Sequence, residues 1–189
     1  MKKIDLKNKV YLVTGANGRI GYELSKQLIN LGAKVIMTDI LINKIKFLNQ
    51  NKKFLIKKID ITKEDNIKNI ISFGVKKFKK IDGIIHCAYP ITKDWGLSFE
   101  KLKSKSLKEN LFNQLGSSIL ISKYFTNYFL KKKIHGKIIF ISSIQGVRSP
   151  KFEHYHNLNM TSPVEYSVIK SGIISLTSYL GNLVFNIPN

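Results

Sequence analysis

Short apolar runs and longer amphipathic stretches alternate along the chain. The apolar runs are rich in Val and Ile, a composition that is typical of buried strands. Such runs, each followed by turn residues, lie at 10–13, 34–38, 54–59, 83–86 and 137–141. Apolar residues recur at helical spacing over 20–31, 63–73, 107–129 and 164–180, and a polar, helix-compatible stretch covers 41–51.

This alternation of strands with helices predicts an α/β protein in which a parallel sheet carries helices on both faces. Strands that are buried on both faces read as continuous apolar runs, as these do. No repeat, linker or low-complexity tract divides the 189 residues. The sequence therefore predicts one domain that covers residues 1–189.

The turn after the first predicted strand is rich in glycine. Residues 9–21 read KVYLVTGANGRIG, in which Gly15, Gly18 and Gly21 follow one another at intervals of three. A strand that turns tightly into a helix directs free N–H groups and the positive end of the helix dipole to one spot, which suits a phosphate. Glycine lets the backbone approach that phosphate without a Cβ in the way. The turn favours dinucleotide binding, although any α/β protein can carry a glycine-rich turn.

An acidic residue, Asp39, ends the second predicted strand. Its place, roughly 20 residues after the glycines, is one from which a carboxylate accepts hydrogen bonds from the adenosine ribose hydroxyls. A carboxylate there repels a 2′-phosphate, so NAD is favoured over NADP. Arg19 points the other way, since a cation near the turn could support a phosphate, but Asp39 carries more weight.

Composition sets few further limits. The chain is 43% hydrophobic, as globular proteins are. Cys87 is the single cysteine, so no internal disulfide can form and nothing indicates an oxidising compartment. The N-terminal apolar run is too short for a signal peptide, and no run approaches the roughly 20 residues of a membrane span. We expect a cytoplasmic protein that does not bind a membrane.

The formal net charge of +20 raises the question of nucleic-acid binding. Proteins that bind nucleic acid present a clustered basic face. Here only Arg19 and Arg148 are arginines, and the lysines are scattered along the chain. We interpret them as a solvated surface and predict no nucleic-acid partner. The positive field would still attract anionic nucleotides and sugar phosphates.

Histidines are the residues that could suggest a metal site. His86, His154 and His156 have a spacing that fits no usual metal site, and no Cys/His cluster accompanies them. The sequence therefore predicts no metal ligands.

A tyrosine and a lysine in the last predicted helix could form a proton-transfer site. Tyr166 and Lys170 are four residues apart, so they share a helix face, one turn from each other. A nearby ammonium favours the phenolate form of a tyrosine. Ser143 follows the fifth predicted strand, and its hydroxyl could bind a substrate oxygen whose charge changes during hydride transfer. A Tyr/Lys pair alone arises easily by chance, but its combination with the glycine turn, Asp39 and Ser143 does not.

From residue 9 to about residue 180, the sequence resembles the short-chain dehydrogenase/reductase family. The resemblance rests on the Thr-Gly turn, the acid after strand two, the Asp60-Ile61 pair, the serine after strand five and the segment YSVIK. It implies a Rossmann-like, doubly wound parallel sheet and NAD(P)-dependent chemistry.

The resemblance also implies roles for individual residues. Tyr166 is the expected acid/base, Lys170 supports it and holds the nicotinamide ribose, and Ser143 orients the substrate oxygen. The family's asparagine in the fourth helix corresponds to Asn113, or to Gln114 if the register shifts by one. The implied cofactor-binding residues are Gly15, Asn17, Gly18, Arg19, Ile20, Gly21, Asp39, Asp60, Ile61, Ala88, Tyr166 and Lys170.

The chain departs from the family pattern at several points. Its glycine spacing is that of the extended branch, which includes nucleotide-sugar epimerases and dehydratases. Residues 86–89 read HCAY instead of Asn-Asn-Ala-Gly, and the stretch from Ser143 to Tyr166 is longer than usual. The segments AYP and PKFEHYHNLNMTSPVEY resemble the flagellin-modification protein A group, which implies surface-polysaccharide or nonulosonic-acid sugar pathways.

Chains of this family continue beyond the point where YLGNLVFNIPN ends this one. The resemblance therefore implies a C-terminally shortened domain in which the last strands and the substrate-covering helices are missing. We expect such a chain to bind NAD but to turn over slowly, because the parts that exclude water and fix a substrate are absent.

The leading hypothesis is an NAD(P)-dependent oxidoreductase that acts on a sugar or nucleotide-sugar hydroxyl or ketone. The alternative is a truncated, weakly active or inactive family member that binds nucleotide or a partner subunit. The family pairs two helices in dimers, and the matching stretches, 107–129 and 166–180, are apolar on more than one face, so we expect a homo-oligomer. The apolar positions are Leu111, Leu115, Ile119, Phe125, Ile169, Ile173, Ile174 and Leu176.

Overall fold

A computed structural model describes residues 4–45 and 53–185. Its strands are β1 (Val10–Thr14), β2 (Lys34–Asp39), β3 (Phe54–Lys58), β4 (Gly83–His86) and β5 (Lys137–Phe140). Its helices are α1 (Arg19–Asn30), α2 (Glu64–Phe78), α3 (Ser104–Leu111), α4 (Ser117–Lys132) and α5 (Val164–Phe185). Each predicted strand is present, with ends that differ by at most one residue. The polar stretch at 41–51 lies mostly outside the described residues, and its described part, 41–45, is not helical.

The chain divides into two compact units. The first, which we call the sheet unit, comprises Met1–Tyr89 and Leu120–Phe140 and contains all five strands. The second, which we call the helical unit, comprises Pro90–Ile119 and Ile141–Asn189 and contains α3 and α5. Each unit carries a different part of the predicted site.

The strands of the sheet unit pair in parallel, in the order β3-β2-β1-β4-β5. Leu12 of β1 lies opposite Ile36 of β2 on one side and opposite Ile84 of β4 on the other. The direction of winding therefore reverses at β1. Open sheets of this kind bind ligands in the crevice at the carboxyl ends of the strands where the order reverses.

Alternate residues of the central strands pack into two cores. One core combines strand residues with residues of α2 and α4, among them Leu12, Ile36, Ile84, Ile67 and Phe125. The other combines strand residues with residues of α1, among them Val13, Met37, Ile85, Leu24 and Leu28. Because neighbouring residues of a strand point to opposite faces, helices cover both faces of the sheet. The predicted doubly wound α/β fold is confirmed.

The start of α2 differs from its prediction. Asp60 and Thr62, residue types that commonly cap helices, lie just before it, but the N-cap is Lys63, and its side chain makes no capping bond. Asp60 Oδ1 instead accepts hydrogen bonds from the N–H (3.0 Å) and the hydroxyl (2.7 Å) of Thr62. The carboxylate closes a turn before the helix begins, so it is not available as a cap.

The end of α2 also differs, because the helix continues through Gly74. This glycine allows close packing, since a Cβ there would come within 2.5 Å of Ile36 Cδ1. The helix stops at Lys79, whose φ of 72° is left-handed, and α4 is followed by Lys133 with a φ of 51°. Glycine is the usual residue at such helix ends. Two lysines therefore occupy backbone positions that favour glycine.

The chain is helical from Ser104 to Lys132, but it is not α-helical throughout. A π-helical turn, Phe112–Gly116, joins α3 to α4. Single π-turns of this kind interrupt α-helices and occur frequently at functional sites. The turn contains both residues that could correspond to the family's asparagine.

Several apolar side chains are exposed on the helices of the helical unit. Phe112 is 54% exposed, Ile119 49% and Val168 52%. By contrast, Phe125 and Ile169, which the sequence pattern assigned to a subunit interface, are buried within the chain. These two side chains belong to the chain's own packing and cannot contact a second copy, whereas the homo-oligomer itself stays a prediction. Over the described residues, no helix has both the length and the apolar composition of a membrane span.

Candidate active site

The turn after β1 leaves no room for side chains. Gly15 has a left-handed φ of 64°, and a Cβ there would lie within 2.6 Å of the Ala88 nitrogen. A Cβ on Gly21 would collide with the Gly15 carbonyl oxygen. Gly18 is the N-cap of α1, so no N-cap side chain bonds the first N–H groups of the helix. Because Gly18 and Ile20 are exposed, the first turn of α1 can accept a phosphate.

Asp39 ends β2 and supports this turn. Its Oδ2 accepts a hydrogen bond from the Asn17 N–H (2.9 Å), and its Oδ1 accepts one from the Leu41 N–H (3.1 Å). The Asn17 side chain donates to Asn43 Oδ1 (2.7 Å) and accepts from the Lys44 N–H (2.8 Å). Asp39 and Asn17 therefore connect the glycine turn to the segment after β2. Each carboxylate oxygen has a second lone pair, so Asp39 could still accept from a ribose hydroxyl.

Other predicted cofactor residues of the sheet unit differ in accessibility. Arg19 and Ile20 begin α1, and both are exposed. Asp60 is partly buried in the turn that follows β3. The Ile61 side chain is 5% exposed and belongs to the core. Only the backbone of Ile61 could therefore contact an adenine ring.

A polar link that the sequence pattern did not predict joins the ends of β1 and β4. The Thr14 hydroxyl and His86 Nδ1 are 2.7 Å apart, and both residues are buried. The Ala88 N–H donates to the same hydroxyl (3.3 Å). A hydroxyl can both donate and accept hydrogen bonds, so the Thr14 hydroxyl can bond the imidazole and the amide together. The one sequence signal that could have indicated this link is position, because Thr14 and His86 each end a strand and lie opposite each other in the sheet.

In the helical unit, Tyr166 and Lys170 lie in the first two turns of α5. Lys170 Nζ is 5.5 Å from the centre of the Tyr166 ring, so the two residues share a helix face, as their spacing predicts. Lys170 is 7% exposed, and its ammonium donates to the Ile141 carbonyl oxygen (2.7 Å). Burial disfavours the charged form and lowers the pKa of Lys170. The bond to Ile141 fixes the ammonium beside the phenol.

Ser143 lies next to the same part of α5. The hydroxyl of the preceding residue, Ser142, donates to the Lys170 carbonyl oxygen (3.0 Å). Ser143 begins a 3₁₀ turn in which its hydroxyl accepts from the Gln145 N–H (3.2 Å). A Cβ on Gly146 would come within 2.8 Å of the Lys170 carbonyl carbon. The structure therefore brings the segment of Ser143 together with the helix turns that carry the Tyr166–Lys170 pair.

The π-turn presents its two candidates for the family's asparagine differently. Gln114 is 3% exposed, and its Nε2 donates to the Pro90 carbonyl oxygen (3.0 Å). Asn113 is partly buried, and its carbonyl oxygen accepts from the Ser117 hydroxyl (2.6 Å). Gln114 thus holds the loop that follows β4, whereas the contact from Asn113 is a backbone contact within the helix.

Cys87 follows β4 and is partly buried. Burial raises the pKa of its thiol to about 11, so the thiol is protonated at neutral pH and is a poor nucleophile. Within residues 4–45 and 53–185, no three His, Cys, Asp or Glu side chains are grouped as metal ligands would be.

Comparison with known proteins identifies the family. The family model described as short chain dehydrogenase matches residues 9–182, and this chain belongs to that family. Post-translational flagellin modification protein A of Campylobacter coli is 40% identical over 188 residues, which are 96% of this chain and 73% of that protein. The predicted family and the predicted subgroup resemblance are confirmed.

Other relatives extend the comparison. The crystal structure of a short chain dehydrogenase from Leptospira borgpetersenii with bound NAD+ is 28% identical, with a TM-score of 0.83 over 95% of this chain. A 3-oxoacyl-acyl-carrier-protein reductase of Rickettsia bellii is 29% identical over 183 residues, which are 94% of this chain and 67% of that protein. This chain spans 66% of the length of the Leptospira chain.

The glycine turn can be tested by adding a single methyl group. We expect Gly21→Ala to lower the free energy of unfolding by about 1–3 kcal/mol, because its Cβ would collide with backbone that cannot rotate away. Gly181→Ala is the matched control, since a Cβ there meets nothing within 4 Å. It should raise the free energy of unfolding by up to about 1 kcal/mol, because alanine favours helix. Urea denaturation measures both values, and equal effects would contradict the close packing of the turn.

Proposed function

We propose that this chain is an NAD-dependent oxidoreductase that transfers a hydride to or from a sugar or nucleotide-sugar hydroxyl or ketone. The observation that carries the proposal is the Tyr166–Lys170 pair, in which the ammonium lies 5.5 Å from the centre of the phenol ring. Ser143 belongs to the segment bound to the same turn of the helix. A phenol, an ammonium and a hydroxyl are suited to moving a proton at a carbonyl oxygen.

In this proposal Tyr166 is the acid/base. During oxidation its phenolate accepts the proton of the substrate hydroxyl while the adjacent carbon loses a hydride, and during reduction the phenol returns that proton to the carbonyl oxygen. The Lys170 ammonium stabilises the phenolate, and its bond to Ile141 keeps it in place. The Ser143 hydroxyl donates to the substrate oxygen as negative charge develops there. NAD, when bound, supplies the hydride acceptor or donor.

The proposed cofactor site begins at the glycine turn. The first N–H groups of α1 would bind the diphosphate, Asp39 the adenosine ribose, and Asp60 with the Ile61 backbone the adenine. Tyr166 and Lys170 would hold the nicotinamide ribose. One support is the close backbone packing at Gly15 and Gly21, where a Cβ would collide with backbone atoms. Another is the NAD+ bound by the Leptospira relative. Such a reaction would draw on the cytoplasmic NAD pool, so we propose a cytoplasmic location.

The substrate class is supported by the relatives and by charge. The Campylobacter relative is named for the modification of flagellin and is 40% identical, whereas the Rickettsia reductase is 29% identical. A net charge of +20 would attract an anionic nucleotide-sugar. The alternative remains a family member that binds nucleotide or a partner subunit without turnover.

We also propose a homo-oligomer that forms through exposed apolar side chains of the helical unit. Phe112 and Ile119 expose about half of their surface, and Val168 and Tyr179 do so on α5. In this proposal the four side chains form one apolar patch, and contiguous apolar patches mark interaction sites. A second copy of the chain would cover them.

The acid/base assignment predicts the effect of removing one oxygen atom. Tyr166→Phe should lower kcat by about 10²–10⁴-fold and weaken NAD binding only slightly, because Lys170 would still hold the nicotinamide ribose. Tyr179→Phe, at a 64% exposed position of the same helix, is the control and should change neither, because it keeps the aromatic ring that the proposed interface would cover. Initial rates with a panel of sugars and nucleotide-sugars, together with calorimetry of NAD binding, measure both effects. An unchanged kcat would exclude Tyr166 as the acid/base, and NAD binding without turnover in the parent chain would favour the alternative function.

Asp39 predicts a preference for NAD over NADP, because its charge would repel the 2′-phosphate. Asp39→Asn is the informative variant, since it removes the charge but keeps one oxygen to accept a hydrogen bond, such as that from the Asn17 N–H. We expect NADP affinity to rise and NAD affinity to change little. In Asp39→Ala, by contrast, NAD affinity should fall, because the Asn17 N–H of the turn loses its hydrogen-bond acceptor. Equal affinities of the parent chain for the two cofactors, measured by calorimetry, would contradict this assignment.

The proposed interface predicts that one charge can separate the subunits. Val168→Asp should convert an oligomer to monomer in sedimentation velocity at micromolar concentration, because it places a carboxylate in an apolar contact. Ile4→Asp introduces the same charge at a 66% exposed isoleucine outside these helices and should leave the oligomer intact. A parent chain that sediments as a monomer would refute the interface.

A further inference from the structure

Trp95 lies in the loop after β4, within the helical unit. Its ring meets the Tyr166 ring edge to face, with centroids 6.3 Å apart and ring planes at 85°. Trp95 is partly exposed, and it is the only tryptophan of the chain. Large aromatic side chains beside polar catalytic groups commonly form the walls of ligand sites. The position of Trp95 therefore suits contact with a substrate that reaches Tyr166.

A buried asparagine of α3 holds this loop. Asn110 is 1% exposed, and its Oδ1 accepts from the Thr92 N–H (3.0 Å). Its Nδ2 donates to the Thr92 hydroxyl (3.1 Å) and to Glu165 Oε1 (3.2 Å). Glu165 is 4% exposed and directly precedes Tyr166. One side chain thus connects the loop of Trp95 to the helix turn that carries Tyr166.

Further hydrogen bonds fix the loop on both sides of Trp95. Ser106 Oγ donates to Asp94 Oδ2 (2.7 Å), Gln114 Nε2 to the Pro90 oxygen (3.0 Å), and the Thr161 N–H to the Gly96 oxygen (2.9 Å). Gly96 has a φ of 92°, which L side chains rarely adopt. Surface loops are ordinarily held less firmly than this. The bonds come from several separate segments, so the backbone on both sides of Trp95 is closely held.

We propose that Trp95 positions the substrate by stacking its indole on the apolar C–H face of a pyranose ring. This inference rests on the proposed function and names the part of the substrate that the site recognises. A pyranose has flat apolar faces and hydroxyls around its edge. Stacking on Trp95 would leave an edge hydroxyl free to reach Tyr166. Asn110 and Glu165 act through the loop as positioning residues.

Because Trp95 is the only tryptophan, its emission reports directly on this contact. We would titrate UDP-glucose, UDP-N-acetylglucosamine and acetoacetyl-coenzyme A into the full chain, with and without saturating NAD. We expect a saturable change of tryptophan emission with at least one UDP-sugar. We expect none with acetoacetyl-coenzyme A in the presence of NAD, because its acyl chain has no ring to stack.

Substitutions at Trp95 test the energetic importance of the contact. Trp95→Ala should weaken the affinity for the UDP-sugar, measured by calorimetry, by about three- to tenfold. Trp95→Phe keeps an aromatic face and should retain most of the affinity. Phe99→Ala removes a 72% exposed aromatic ring from the following turn and should change nothing.

A milder variant tests the role of the loop. Ser106→Ala removes one hydrogen bond to Asp94 and should raise KM for the UDP-sugar, with little change in NAD affinity or in the unfolding midpoint. A purely structural role would instead shift the unfolding midpoint and leave KM unchanged.

The outcomes separate this inference from the proposed function. Equal UDP-sugar affinities in the parent chain and Trp95→Ala, or no emission change with either UDP-sugar, would overturn the role of Trp95 even if NAD-dependent turnover is found. A saturable response in a chain that binds no NAD would support Trp95 as a sugar contact and refute the dehydrogenase proposal. A response to acetoacetyl-coenzyme A alone would overturn the inference in favour of an acyclic substrate.

Discussion

The close approach of two backbone segments at the end of β1 is the constraint on which the sheet unit depends. Gly15 lies against the peptide between Cys87 and Ala88, and Gly21 lies against Gly15 itself. Because β1 and β4 are hydrogen-bonded neighbours, the register of the sheet fixes this contact directly. The Thr14–His86 pair closes the same junction with a buried polar bond. The pairing of the strands, rather than a flexible loop, therefore determines the shape of the opening at the first turn of α1.

The fold was predictable because the relevant signals are local. Each central strand is an apolar run buried on both faces, and its ends coincide with turn or charged residues. Helix ends were less predictable. Gly74 is consistent with a helix end in the sequence, but its role depends on Ile36, a residue of β2 that only the folded chain brings near. Composition alone cannot distinguish a glycine that ends a helix from one that permits close packing.

The same distinction applies to the candidate site. Tyr166 and Lys170 share a helix face at a spacing of four residues, so their proximity could be predicted from the sequence. The bond from Lys170 to Ile141 and the bond from Asn110 to Glu165 join residues far apart in sequence, and no periodicity encodes them. The π-turn was not predictable either, because a change in backbone hydrogen bonding leaves the apolar pattern nearly unchanged. That is why the sequence could not decide between Asn113 and its neighbour.

Lysine is abundant enough in this chain to occupy positions where the backbone favours glycine. Lys79 and Lys133 follow the last residues of α2 and α4 with left-handed φ values of 72° and 51°. An L residue in that conformation costs roughly 1–2 kcal/mol, and a cation near a helix C-terminus recovers about 0.3–1 kcal/mol. The lysine-rich composition that gives the molecule its positive field therefore also makes the folded state less stable at two helix ends than glycine would.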